Sequence, residues 1–247
     1  MAGKIAVLIL MLTFATAATV SAASRRDIAE CLETEGTAGI EKCTPLAAEL
    51  EGSGDVQDLE KVLRRLGFLL YFEKRYKEAA DYYTSAVDLG LNNSYLFYDR
   101  GTAYIKLNEY NLAVRDYDRS IELNSEFAPA YLKRGYVYAL LSNWQEAISS
   151  LDKGIALNQN VATAYNARAW AYLQLGQPSS GLADAVRALE LTPNDPAILD
   201  TRGRIYEAIG LIDEAIKDFE HALELGLDAP ETREALARVK QQKQQGD

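Results

Sequence analysis

One 34-residue unit is written five times in this chain, and nothing else in the sequence restricts the fold as much. Gly67, Gly101, Gly135, Ala169 and Gly203 stand at equal spacing with no insertion between them. A fixed period of this length marks a repeat architecture, in which each unit buries its apolar face against its neighbours. The units run 60–93, 94–127, 128–161, 162–195 and 196–229, and further columns then fall into register. Leu70, Tyr104, Tyr138, Tyr172 and Tyr206 follow the small residue by three, and Ala79, Ala113, Ala147, Gly181 and Ala215 follow it by twelve. Beyond them come Tyr83, Tyr117, Leu151, Ala185 and Phe219, then Ala86, Ser120, Gly154, Ala188 and Ala222.

Within each unit the apolar positions recur at three and four residues, the period of one helical face. Each unit therefore reads as two amphipathic helices. Small residues at the eighth and twentieth positions let the two backbones approach closely, and bulky residues at the eleventh and twenty-fourth fill the space beside them. Turn signals separate the helices at Leu107-Asn108-Glu109, Leu141-Ser142-Asn143, Leu175-Gly176-Gln177-Pro178 and Ile209-Gly210. Pro178, Pro196 and Pro230 sit where a helix begins, a position whose N–H needs no partner.

These columns resemble the tetratricopeptide repeat, whose pattern carries Gly or Ala, Tyr, Ala, an aromatic and Ala at the same offsets. The resemblance covers residues 60–229 and implies an all-α fold: a right-handed α-solenoid of five tandem helix pairs, first helices lining a concave groove. Two departures stand out. Pro193 alone occupies the family's late proline position, and Ala185 is small where a ring is usual, so looser packing is expected in the fourth unit. Residues 230–247 begin like another first helix, with Leu236 and Ala237 at the apolar and small positions and charge elsewhere. This composition suits a capping helix with one face on the last repeat and the other in water.

The flanks before the repeats carry other information. Residues 1–23 have a positive start at Lys4, an apolar core from Ile5 to Phe14, and small residues up to Ala22-Ala23, the layout of a cleaved secretory signal. The apolar run is short for a membrane span, which needs about 20 residues. An uncleaved anchor is the alternative. In the oxidising compartment that export implies, Cys31 and Cys43 pair most simply as a disulfide within an N-terminal helical segment, 24–50, formed by two short helices over Arg26–Leu32 and Ala38–Leu50. A redox-active pair is the rival, though it would favour a Cys-x-x-Cys spacing. Glu51-Gly52-Ser53-Gly54-Asp55 breaks the helical pattern, and 51–59 reads as a linker.

Composition removes several function classes. The formal charge is −10, unfavourable for binding a phosphate backbone, so no nucleic-acid partner is expected. One His and two Cys cannot supply the four Cys/His ligands of a structural zinc site. His221 falls on a second helix with no evident nucleophile, and no glycine-rich phosphate loop or Gly-x-Ser-x-Gly turn appears. No cofactor, small-molecule substrate or catalysis is therefore expected, and a membrane is a partner only if the signal stays attached. Arg100, Arg134, Arg168 and Arg202 form a column just before the small residue. With Asp116, Asp184 and Asp218 at the twenty-third position, and Asp152 two places later in its own unit, they suggest ion pairs tying helices together.

A protein or peptide partner remains, and the resemblance assigns it to the groove-facing positions of the first helices. In the first unit these are Lys61, Arg64, Arg65, Phe68 and Phe72; in the second, Tyr95, Tyr98, Asp99, Thr102 and Lys106. They continue with Leu132, Lys133, Tyr136 and Leu140, then Asn166, Trp170 and Gln174, and finally Asp200, Arg204 and Glu207. The principal candidates are Arg64, Phe68, Tyr98, Lys106, Tyr136, Asn166, Trp170 and Arg204. Rings beside scattered polar groups suit an extended peptide or partner helix, although some of these rings could instead pack between adjacent first helices. Family members that serve cytosolic heat-shock chaperones grip a carboxylate with Lys and Asn at fixed groove positions. Arg64, Tyr98, Leu132, Asn166 and Asp200 at the fifth position do not reproduce that set. The sequence thus points to an exported scaffold or assembly factor, secreted or periplasmic and of bacterial style, with a membrane-tethered scaffold or an accessory subunit of an enzyme complex as the alternatives.

Overall fold

A computed structural model describes residues 25–246. The leader reading of residues 1–23 lies outside them. Thirteen helices and no strand are found among the described residues. In order they are α1 (Arg25–Glu33), α2 (Gly36–Ser53), α3 (Val56–Phe72), α4 (Tyr76–Asp88), α5 (Ser94–Lys106), α6 (Tyr110–Leu123), α7 (Ala128–Leu140), α8 (Trp144–Leu157), α9 (Ala162–Gln174), α10 (Pro178–Leu191), α11 (Pro196–Ala208), α12 (Ile212–Glu224) and α13 (Pro230–Gly246). The five units are therefore the pairs α3/α4 to α11/α12. The chain divides into two compact parts at Leu123/Asn124.

The first part holds α1–α6. Cys31 and Cys43 form a disulfide across α1 and α2, with Cα atoms 5.0 Å apart. Both are fully buried in a core shared with Leu46, Leu50, Leu59, Val62, Leu66 and Leu70, so the N-terminal segment packs directly on the first repeat. Arg65 adds a polar tie, donating from Nη2 to Thr34 O at 3.0 Å and to Glu35 Oε1 at 2.8 Å. The linker expected over 51–59 is absent as such. Helix α2 continues to Ser53 and α3 starts at Val56, leaving Gly54 and Asp55 as the whole connection. Gly54 closes α2 at φ 77°, its N–H reaching Leu50 O, while the Asp55 side chain accepts from the Asp58 N–H to start α3. The residues that look like a flexible break are a back-to-back C-cap and N-cap. The α1–α2 turn is likewise shorter than expected, only Thr34 and Glu35.

Inside each pair the columns do what their sizes demand. A Cβ on Gly67 would lie 2.5 Å from the Tyr83 ring; on Gly135 it would lie 2.7 Å from Leu151 and on Gly203 2.7 Å from the Phe219 ring. The eighth residue must be Gly there because the twenty-fourth is large. The fourth pair solves the same problem the other way round. Ala169 and Ala185 face each other, both fully buried, and Ile205 of the next first helix packs against them. Gly181 then takes the twentieth position, where a Cβ would lie 2.7 Å from Ala169 O. Where a looser fit was expected at Ala185, Ile205 of the next repeat packs against the two small side chains, which are fully buried.

The helix–helix turn is also a repeated device. Lys74, Asn108, Ser142, Gly176 and Gly210 all have φ between 59° and 80°. The N–H after each returns to the carbonyl of the eleventh residue, as from Asn143 to Tyr138 O and from Leu211 to Tyr206 O. This is the Schellman closure, which needs a left-handed residue.

The second part holds α7–α13. Helices α10, α11 and α13 begin at Pro178, Pro196 and Pro230, as their prolines suggested. Helix α13 caps the fifth pair: Thr232, Ala235 and Val239 are buried, the last two against Ala215 and Phe219. Ala237 instead faces solvent. Ion pairs from Arg238 to Glu207, Lys240 to Glu220 and Lys243 to Asp213 flank the apolar strip.

Candidate functional site

The arginine column is part of the scaffold. Arg100, Arg168 and Arg202 each grip Asp116, Asp184 and Asp218 with two hydrogen bonds of 2.7–2.8 Å. The carboxylates are buried, so these are not the exposed, near-neutral pairs of a solvated face. Desolvation holds the Asp116 carboxyl above its usual range even with Arg100 beside it. In the third pair Ser150 occupies the twenty-third position and accepts from Arg134 Nε at 3.1 Å. Asp152 pairs forward instead, with Arg168 of the following repeat, at 2.6 Å. Arg100 makes the equivalent reach backward to Thr84 Oγ1 at 3.3 Å. Arg100 and Arg168 thus each tie their own second helix to the preceding one.

The candidate residues fall into two groups, one in each part of the chain. In the first part, Phe68 and Phe72 project from α3 and Tyr98, Asp99 and Thr102 from α5. Together with Tyr71 and Tyr83 they line a cavity of about 160 Å³. Phe72 is 66% and Phe68 40% exposed, with ring centroids 4.6 Å apart. Tyr98 is half-buried, its ring 5.8 Å from that of Tyr117, and Thr102 Oγ1 shares a hydrogen bond of 3.1 Å with the Tyr117 hydroxyl. Arg64 and Lys106 stand exposed at the rim. Arg65, read as groove-facing, is committed to the α1–α2 turn, and its guanidinium lies 5.4 Å over the Phe68 ring.

Asp99 is the unusual member. Its carboxylate makes no hydrogen bond or ion pair with any described residue. Burial raises its pKa to about 6, and the more distant Arg64 charge offsets this only in part. Sequence reading ranked the rings and rim cations above it. The twelfth-position Tyr71 and the core-column Tyr83 were also not picked out as lining residues, because a repeat column assigns a direction but not which walls meet.

In the second part the candidates are arranged differently. Tyr136 and Leu140 on α7 are exposed, at 47% and 42%. Trp170 is half-buried, with the Arg204 guanidinium 5.9 Å over its ring; Arg204 is held by Asp200 at 2.8 Å, and Asp200 accepts from Thr232 at 2.7 Å. Trp170 thus lies beneath a cation from the next first helix, α11. Asn166 is half-buried with an Oδ1 that has no hydrogen-bond donor. Among the described residues no cluster of His, Cys, Asp and Glu is placed to hold a metal ion, and no helix is long and apolar enough to cross a membrane.

Comparison with known proteins agrees with this architecture. A family model described as "TPR repeat" matches residues 101–142, and one described as "Tetratricopeptide repeat" matches 141–196 and 166–230. A DnaJ homolog subfamily C member 7 homolog from Schizosaccharomyces pombe is 32% identical over 79 residues, 31% of this chain; the match spans 17% of that relative's length. Among solved structures, a MamA protein superposes with TM-score 0.62 at 25% identity, covering 67% of this chain and 91% of the other. YrrB, described as a TPR protein with an unusual peptide-binding site, superposes with TM-score 0.62 at 17% identity, covering 73% and 91%. Five in-register helix pairs, matching family models and these neighbours lead to one conclusion: the chain belongs to the tetratricopeptide repeat family, an all-α protein–protein interaction scaffold.

Proposed function

We propose that this protein is an exported interaction module that holds a peptide or segment of a partner protein against the first-helix face of its first two repeats. The observation that carries this is the cleft between α3 and α5, where exposed Phe68 and Phe72 open onto a cavity walled by Tyr71, Tyr83 and Tyr98. Exposed aromatic rings around a concavity are an expensive way to face water unless something covers them. Export is supported by the leader-like residues 1–23 and by the disulfide, which suits an oxidising compartment. Its work is binding and assembly, not catalysis. If the leader remains uncleaved, the same module acts as a membrane-tethered scaffold; N-terminal sequencing of the exported protein separates the two forms.

Random-peptide selection on the purified protein tests the cleft, run in parallel on a Phe68→Ala/Phe72→Ala variant. Peptides enriched by the wild type and lost by the variant, at an unchanged melting temperature, are the expected result. Equal enrichment by both proteins, or none by either, would remove the cleft as the binding surface.

A further inference from the structure

We infer that the cleft between α3 and α5 is a receptor for one cationic side chain, lysine or arginine, of the partner protein. This rests on the cleft being the binding surface and adds what it selects. A cavity of about 160 Å³ has room for a single group of about the bulk of benzene. Its walls offer two features that together favour a cation. Phe68, Phe72 and Tyr98 line it with aromatic rings, and a ring face attracts a positive charge most strongly where water is excluded. Asp99 supplies a carboxylate with no donor bound to it.

Other occupants fit less well. A neutral apolar side chain would seal the Asp99 carboxylate away from water with no partner, which is the costly outcome for a buried charge. An anion would meet that carboxylate directly. The groups facing Asp99 are Arg64 and Tyr71 from α3, Tyr83 from α4, Tyr98 and Thr102 from α5, and Tyr117 from α6 beyond Tyr98. Arg64 is the cation whose charge acts on it, and being exposed it is screened by solvent, while Lys106 acts on the neighbouring Tyr71 and Arg65 is held at the α1–α2 turn. Burial leaves the carboxyl half-titrated near pH 6, so a cation entering the cleft is bound by the ionised form and released as the group protonates.

The test uses n-butylammonium as probe and 1-butanol as its neutral near-isostere, each titrated into the full-length protein while ring signals of Phe68 and Phe72 are followed by NMR. At pH 7.5 the ammonium ion should shift these signals saturably. With an acid group titrating at about 6, affinity should fall about tenfold at pH 5. Asp99→Asn should weaken the ammonium at pH 7.5, abolish its pH dependence and leave butanol unchanged, whereas Arg64→Gln should tighten the ammonium. Butanol binding as well as the ammonium, an unaffected Asp99→Asn variant, or no saturable shift would each overturn the proposal. Peptide selection keeps the two ideas apart. Peptides that need Phe68 and Phe72 but carry no Lys or Arg preference leave the binding surface standing and remove its selectivity. Ammonium binding at Asp99 without any selected peptide does the reverse.

Discussion

Asp99 is kept in the fold at a cost to stability. Its pKa is raised to about 6 from the usual 3.8, chiefly by desolvation, so the native state holds this proton more tightly than the unfolded chain does. Stability is then lost as pH rises from about 4 through 6, the opposite of the ordinary salt-bridged carboxylate. Asp99→Asn should stabilise the protein by about 2–3 kcal/mol at pH 7.5, with the gain vanishing near pH 3; urea melts of both proteins at the two pH values measure it. A variant no more stable than wild type at pH 7.5 would mean that the carboxylate is well solvated. A second residue-scale prediction concerns the turns. Ser142 is exposed at φ 59°, where Gly176 and Gly210 hold the same place in later repeats. Ser142→Gly should relieve the strain of a left-handed L-residue and raise stability by up to about 1 kcal/mol, seen as a higher urea midpoint. Sequence revealed the turn but not the strain, since Leu141-Ser142-Asn143 reads simply as polar punctuation. It also put Asp99 on the groove face without revealing that Tyr83 and Tyr98 would dry it.

Between elements, the residues that set helix distance were legible and those that set helix linkage were half legible. Gly at the eighth position opposite a ring at the twenty-fourth is a size rule visible in the alignment of repeats. The Ala169, Ala185 and Gly181 solution in the fourth pair was hidden, because Ile205 comes from the next repeat. The Arg–Asp pairing was readable as a column, but Asp152 was misplaced because its partner, Arg168, lies one repeat onward. Arg168 therefore joins three helices, α8, α9 and α10, through Asp152 and Asp184. Arg168→Met should destabilise by about 3–5 kcal/mol, largely because Asp184 is left buried without a counter-charge. Arg168→Met combined with Asp184→Leu should recover most of that loss. If the double variant is as unstable as the single one, the lost packing of the arginine stem, not the stranded carboxylate, is responsible.

At the scale of the chain, nearest-neighbour packing sets how far a perturbation travels. In stacked repeats stability is approximately a sum of unit and interface terms, so damage at one end is felt most there. The disulfide offers a clean trial of this. Cys31–Cys43 closes a loop of 12 residues of sequence separation, and its two ends are buried in the same core as Leu59, Val62 and Leu66 of the first repeat. Removing it should cost about 2–3 kcal/mol, the value expected for so short a loop. The sequence made the pairing readable once export was inferred, but placed the segment behind a linker that does not exist, so its coupling to α3 was hidden. Continuous packing of α2 on α3 predicts that reduction loosens the first repeat as well as the N-terminal helices. Amide hydrogen exchange of a Cys31→Ser/Cys43→Ser variant should show protection falling across α1–α4 while α9–α13 keep theirs. Loss restricted to α1 and α2 would show that the disulfide segment is an appendage, whereas uniform loss through α13 would show a fold too cooperative to be treated as a row of neighbours.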